Sequence, residues 1–124
     1  MEKYFFVGLG GFIGSMCRYG MSGLIYKIVG DRFPYGTMVV NILGCFTIGF
    51  LMMMFEERWL VHPNLRLLLT VGVLGGFTTF STFSYETIEL FRGGNFNLGL
   101  INAFGSMCFC VSAAWMGSIA AKLF

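Results

Sequence analysis

Long runs of apolar residues, separated by short polar turns, make up almost the whole chain. The apolar runs cover residues 4–29, 36–55, 67–85 and 96–121, and each has 19 or more residues. A helix needs about 20 residues to cross about 30 Å of hydrocarbon, so each run predicts a transmembrane helix. The turns between the runs are too short to form a soluble domain. The pattern therefore predicts an all-α membrane protein, with one four-helix domain over residues 1–124.

Composition and charge support the same class. Hydrophobic residues make up 56% of the 124 residues and charged residues 11%, against about 25% charged residues in a typical soluble domain. This composition excludes a soluble enzyme. The net charge of +2 lacks the basic excess that a nucleic-acid partner requires. The first run is too long for the core of a signal peptide, so we expect it to be retained.

The four cysteines all lie within the apolar runs, at Cys17, Cys45, Cys108 and Cys110. Disulfides form in oxidising, water-accessible places, and a metal site needs further ligands nearby. We therefore interpret the cysteines as small apolar packing residues.

The charges that flank the runs are almost balanced between the two sides of the membrane. The side with both termini carries four basic residues, Lys3, Arg58, Arg66 and Lys122. The other side carries three, Lys27, Arg32 and Arg92. Because an excess of Lys and Arg sets orientation, so small a difference leaves a chain free to insert in both directions. The alternative is one weakly biased orientation.

The third run contains poor helix-forming sequence at its centre. Gly75 and Gly76 are followed by Thr78 and Thr79, which predicts a helix that stops at the glycines and restarts with a threonine hydroxyl as its N-cap. The freed carbonyls would suit a hard cation such as Na⁺, and the freed amides an anion. The alternative is a glycine kink healed by Ser and Thr side chains.

Several polar residues within the runs allow two interpretations. Arg18 either bonds backbone carbonyls near a helix end or attracts anions in a water-filled vestibule. Asn41 either pins one helix to another or offers amide donors to an anion. Phe80 and Phe83 share one helix face, and they either pack in the core or present electropositive ring edges to an anion path.

Three segments together resemble a known family. Residues 11–19 (GFIGSMCRY), 36–44 (GTMVVNILG) and 75–83 (GGFTTFSTF) are similar to the motifs of the small fluoride channels called Fluc or CrcB, in the same order and over the whole chain. The resemblance implies a passive, fluoride-selective channel that exports cytoplasmic fluoride and confers resistance. It further implies a multi-pass protein of the bacterial inner membrane.

The resemblance also implies an assembly. The family forms an antiparallel, dual-topology homodimer with two fluoride pores at the subunit interface. A structural Na⁺ lies at the dimer centre, and the matching positions for its carbonyl ligands are Gly75 and Thr78.

The family's functional positions can be carried over one by one. The matching pore residues are Asn41, Phe80, Phe83, Ser81, Thr82 and Ser106, and the matching vestibule residues are Arg18 and Glu86. One position departs from the family, because Cys110 stands where a second serine often extends the polar stripe of the last span. A thiol is a weak donor, so Ser106 is the better candidate for lining the pore.

Two other functions are compatible with a small four-helix membrane protein. A dimeric multidrug or cation exporter needs a carboxylate within the membrane, and here only Glu86 lies at the end of a span. A non-transporting membrane subunit would not require the broken third span. No residue pattern supports an enzyme.

Overall fold

The computed structural model describes all residues 1–124 and contains helices and turns only. The third predicted span is split in two, so the chain forms five helices. In chain order they are α1 (Glu2–Val29), α2 (Tyr35–Glu57), α3 (residues 63–77), α4 (Phe80–Arg92) and α5 (Phe96–Leu123). Gly30 and Gly94 have positive φ angles of 94° and 80° and lie in the turns after α1 and α4, where residues with side chains would be strained.

Two helices contain a π-helical segment. Leu68–Leu74 lies within α3, between α-helical turns at Pro63–Leu67 and Gly75–Phe77. Ile101–Gly105 lies within α5, after Phe96–Leu100 and before Ser106–Leu123. Such segments are rare and often occur at functional sites. Both lie next to the residues described in the following subsection.

Three helical segments are long and apolar enough to cross a membrane, namely Tyr35–Glu57, Pro63–Arg92 and Phe96–Leu123. The sequence predicts four. The 28 residues of α1 would extend about 42 Å at 1.5 Å per residue, but its glycines and Arg18 lower its mean hydropathy. The predicted all-α membrane fold is thus confirmed, with three of its spans.

Little of the chain is buried within itself. Only 19 of 124 residues are buried, and large apolar side chains are exposed on every helix. A water-soluble protein would not present so much apolar surface. The helices therefore require lipid or further protein around them.

Glycines bring α1 and α3 into backbone contact. A Cβ at Gly10 or Gly14 would collide with the backbone of α3, and a Cβ at Gly76 would lie 2.6 Å from the Gly11 carbonyl oxygen. Small residues at such contacts let helices in membranes approach closely. The close approach holds the end of α3 firmly against α1.

The contact between α2 and α5 is equally close. A Cβ at Gly49 would collide with the Ala114 carbonyl, and a Cβ at Gly117 would collide with the Phe46 carbonyl. Further along, Arg58 Nη1 donates to the Phe124 carbonyl at 3.5 Å. Because the C-terminal ends of both helices meet at this last contact, the two helices run parallel.

Candidate functional site

The break between α3 and α4 consists of two extended residues. Thr78 (φ −85°, ψ 156°) and Thr79 (φ −148°, ψ 121°) separate the helices. The Thr79 hydroxyl accepts the Thr82 N–H at 3.2 Å and so forms the N-cap of α4. The predicted break and its threonine cap are confirmed.

The prediction of where the helix before the break ends was wrong. The helix does not stop at Gly75-Gly76 with a glycine cap; it continues to Phe77, and the Thr78 N–H still donates to the Leu74 carbonyl at 3.0 Å. Gly75 has helical angles (φ −63°, ψ −38°). Gly76 is required instead for the close approach to Gly11 described above.

Asn41 holds the break from the neighbouring helix α2. Its Oδ1 accepts the Thr79 N–H at 2.8 Å, and its Nδ2 donates to the Thr79 carbonyl at 3.0 Å. One side chain thus satisfies both backbone groups of an extended residue, as a neighbouring strand would. One N–H of the amide is left for another acceptor.

The break frees several carbonyls from their helical donors, among them those of Gly75 and Thr78. In a continuous helix the Gly75 carbonyl would accept the Thr79 N–H, and the Thr78 carbonyl would accept the Thr82 N–H. Those N–H groups instead donate to Asn41 Oδ1 and to Thr79 Oγ1. Gly75 and Thr78, the two predicted cation ligands, therefore both offer carbonyl oxygens without their usual partners.

Arg18 lies against the same break. Its Nε donates to the Gly76 carbonyl at 3.0 Å, and the residue is half-buried. This contact corresponds to the backbone-bonded interpretation of Arg18. The remaining guanidinium donors stay available to an anion.

A cavity of about 430 Å³ opens beside the break. It is bounded by α2, by the two extended threonines, by α4 and by α5. Four of the predicted pore residues line it, namely Asn41, Phe80, Phe83 and Ser106. Residues that are far apart in sequence therefore meet at one surface.

Two other predicted pore residues are absent from this lining. Ser81 and Thr82 instead surround the cap of α4: Thr79 Oγ1 lies 3.3 Å from Ser81 Oγ and 3.1 Å from Thr82 Oγ1. Within this chain their hydroxyls contact the N-cap residue of α4, and neither residue lines the cavity.

The two phenylalanines lie side by side along the cavity. Their ring centroids are 5.5 Å apart and the rings are inclined by 48°. Phe80 is 79% exposed, so most of its ring surface lies outside the packing of this chain, and Phe83 is its one aromatic neighbour. The cavity is therefore open on the side to which Phe80 projects.

Ser106 is tied to a chain of hydrogen bonds behind the cavity. Its hydroxyl donates to Asn102 Oδ1 at 3.2 Å, and Asn102 Nδ2 donates to Thr87 Oγ1 at 2.8 Å. Thr87 in turn donates to the Phe83 carbonyl at 2.7 Å. The hydroxyl protons of Ser106 and Thr87 are therefore both engaged within this chain of hydrogen bonds.

Glu86 lines a different cavity, of about 370 Å³. Its carboxylate accepts the Thr37 hydroxyl at 2.6 Å and the Tyr26 hydroxyl at 3.1 Å. The same cavity is lined by Asp31, Arg32 and Glu89. Arg18 is not among its lining residues, so the two predicted vestibule residues do not meet in one chain.

Sequence reasoning missed the partners of these polar groups. Thr37 is one helical turn before Asn41 on α2, and that spacing was a usable signal. Thr87 lies one turn after Phe83 on α4 and could have been found in the same way. Tyr26 carries no such signal, because its contact with Glu86 spans 60 residues of sequence.

Comparisons with known proteins cover nearly the whole chain. Residues 5–118 match the family model described as CrcB-like protein, Camphor Resistance (CrcB). A protein of Geotalea daltonii named fluoride-specific ion channel FluC is 47% identical over 122 residues, which are 98% of both chains. Proteins of the same name from Solibacter usitatus and Dehalococcoides mccartyi are 48% and 41% identical. The alignment with the Solibacter usitatus protein covers 97% of this chain and 98% of the relative. The alignment with the Dehalococcoides mccartyi protein covers 99% of this chain and 95% of the relative.

We predict that Asn41→Ala destabilises the protein, because it leaves the Thr79 N–H and carbonyl without partners. An unsatisfied buried polar group costs about 1–3 kcal/mol, so we expect the free energy of unfolding in detergent to fall by about 2 kcal/mol. Thr47→Val is the matched control on the same helix, since Thr47 bonds only the Leu43 carbonyl of its own helix. Equal effects of the two substitutions would contradict this role of Asn41.

Proposed function

Because the chain belongs to the CrcB-like family, we propose that it is a passive, fluoride-selective channel that exports cytoplasmic fluoride and confers resistance. The observation that carries the proposal is identity of 47–48% with proteins named fluoride-specific ion channel FluC along nearly their full length. The family consists of ion channels and not of enzymes. In a bacterium, the proposed location is the inner membrane.

The proposed channel has four spans per chain, with α1 as the fourth. A span at α1 is supported by its length and by its backbone contact with α3, which itself belongs to a segment apolar enough to cross the membrane. Four spans put both termini on one side. The flanking charges then divide almost equally, which favours insertion in both orientations.

The proposed assembly is an antiparallel homodimer with two pores at its interface. The cavity that contains Asn41 and Phe83 is open on one side. Phe80 is the most exposed of the predicted pore residues that line it, and its apolar ring would be buried by a second chain. A second, inverted copy would close the open side, and twofold symmetry would give each dimer two equivalent cavities.

The residues at the break fit a structural Na⁺ at the dimer centre. Gly75 and Thr78 offer carbonyl oxygens that have lost their helical donors, and hard cations prefer oxygen ligands. Two inverted chains would offer four such oxygens. The bound cation would supply positive charge that lowers the cost of an anion nearby.

The proposed path for fluoride follows the cavity between Asn41 and the two phenylalanines. Asn41 has one N–H free of the Thr79 backbone, and ring edges of Phe80 and Phe83 carry partial positive charge. Ser106 lies on the same surface. Conduction is favoured by several weak sites of this kind rather than by one tight site.

Fluoride efflux from liposomes tests the proposal. We expect purified protein to release trapped fluoride down its gradient, as measured with a fluoride electrode, and to retain chloride. Protein-free liposomes are the control. Equal release of the two ions would contradict the proposed fluoride selectivity. Release of neither ion would contradict the proposal that the protein is a channel.

We predict that Phe80→Ile and Phe83→Ile each reduce fluoride efflux without preventing dimer assembly. Loss of an interaction worth about 1 kcal/mol slows a rate-limiting step roughly fivefold to tenfold. Phe109→Ile is the matched control, because Phe109 is exposed but does not line the cavity. Unchanged efflux in both cavity variants would exclude the ring-edge path.

We predict that lysines added on one side fix the orientation of the chain. Glu2→Lys/Tyr4→Lys adds positive charge at the termini, and Asn95→Lys/Asn97→Lys adds it at the opposite side. Reporters fused to the C-terminus should then give opposite locations, whereas the parent chain gives both. Each variant alone should lose efflux, and co-expression of the two should restore it. One fixed orientation of the parent chain would exclude dual topology.

A further inference from the structure

Cys45 and Cys110 lie on the contacting faces of two closely packed helices. Gly49 of α2 lies against Ala114 of α5, where a side chain at Gly49 would collide with the Ala114 carbonyl. Cys45 precedes Gly49 by four residues, and Cys110 precedes Ala114 by four. Residues four apart share a helix face, so each thiol lies on the face of its helix that contacts the other helix, one turn from the contact at Gly49 and Ala114.

Both thiols face the cavity that contains Asn41 and Phe83. Cys45 and Cys110 are half-buried, lack disulfide partners and line that cavity together with Met107. The two thiols are also near enough to interact electrostatically. Three sulfur atoms therefore border one pocket.

We propose that Cys45 and Cys110 form a two-thiolate site for a soft metal ion, and that the bound ion obstructs the path assigned to fluoride. Thiolate and thioether sulfur select soft ions such as Cu⁺, and Hg²⁺ is the probe that binds two thiolates in a line. On binding, two S–H bonds break, two sulfur–metal bonds form and two protons pass to solvent. No atom changes its oxidation state. The obstruction rests on the proposed function, whereas the metal site does not.

The other two cysteines lack this arrangement. Cys17 and Cys108 are exposed and line neither of the two cavities described above. Cys108 is two residues from Cys110 and points to another face of α5. Under this proposal Cys45 and Cys110 bind a metal ion in addition to packing, whereas Cys17 and Cys108 keep the packing role predicted from the sequence.

Stoichiometry tests the site. In a Cys17→Ser/Cys108→Ser background, one Hg²⁺ per chain should protect both remaining thiols from maleimide, and the intact mass under denaturing conditions should show one mercury within one chain. Removal of the metal by mercaptoethanol should need a roughly tenfold higher concentration than in the same background with Cys45→Ser, because the second thiolate binds intramolecularly. One thiol still reactive at one equivalent, or mercury linking two chains, would overturn the site.

Fluoride efflux tests the obstruction in the same background. We expect one Hg²⁺ per chain to abolish efflux, and mercaptoethanol to restore it. With Cys45→Ser or Cys110→Ser added, efflux relative to each untreated variant should be less sensitive to Hg²⁺ by about tenfold. Metal bound at one per chain with undiminished efflux would overturn the obstruction. If the untreated protein releases no fluoride, the proposed function fails, and the mercury stoichiometry still decides the metal site.

Discussion

The pairing of Asn41 with the backbone of Thr79 is the interaction on which the rest of the site depends. An extended segment cannot persist in hydrocarbon unless its polar groups are satisfied by protein or face a sheltered cavity. Asn41 supplies both partners for Thr79, at 2.8 Å and 3.0 Å. The pairing also orients α4, so the positions of Phe80 and Phe83 follow from it.

The break is supported from a second side by α1. Because Gly76 has no side chain, the backbone of α3 lies directly against the backbone of α1 at Gly11. Arg18 on α1 is then close enough to donate to the Gly76 carbonyl. Burial of a guanidinium within a membrane protein is costly unless it finds acceptors. The carbonyl freed by the break provides one. The arginine and the broken helix thus stabilise each other, which explains why a charge can lie in an otherwise apolar helix.

Local chemistry was predictable from the sequence, and long-range partners were not. Thr79 was identifiable as a cap because a hydroxyl precedes a new helix, and that preference is local. The end of α3 at Phe77 could not be predicted, because Gly76 allows close contact with α1 and does not form a turn. Ser81 and Thr82 are similar to the family's pore residues, yet in this chain their hydroxyls lie at the cap. The π-helical segments leave no mark in the hydrophobic pattern, because the spans that contain them are apolar on most faces and have no polar stripe that a shift of register would displace.

The hydrogen-bond chain behind Ser106 bears on selectivity under the proposed function. Ser106 donates to Asn102, which donates to Thr87, which donates to the Phe83 carbonyl. An anion in the cavity can gain the Ser106 proton only by displacing Asn102 as its acceptor. A small anion of high charge density competes well for a hydroxyl proton, whereas a larger anion with diffuse charge competes poorly. The arrangement would therefore discriminate between anions by the strength with which they accept a hydrogen bond, in addition to their size.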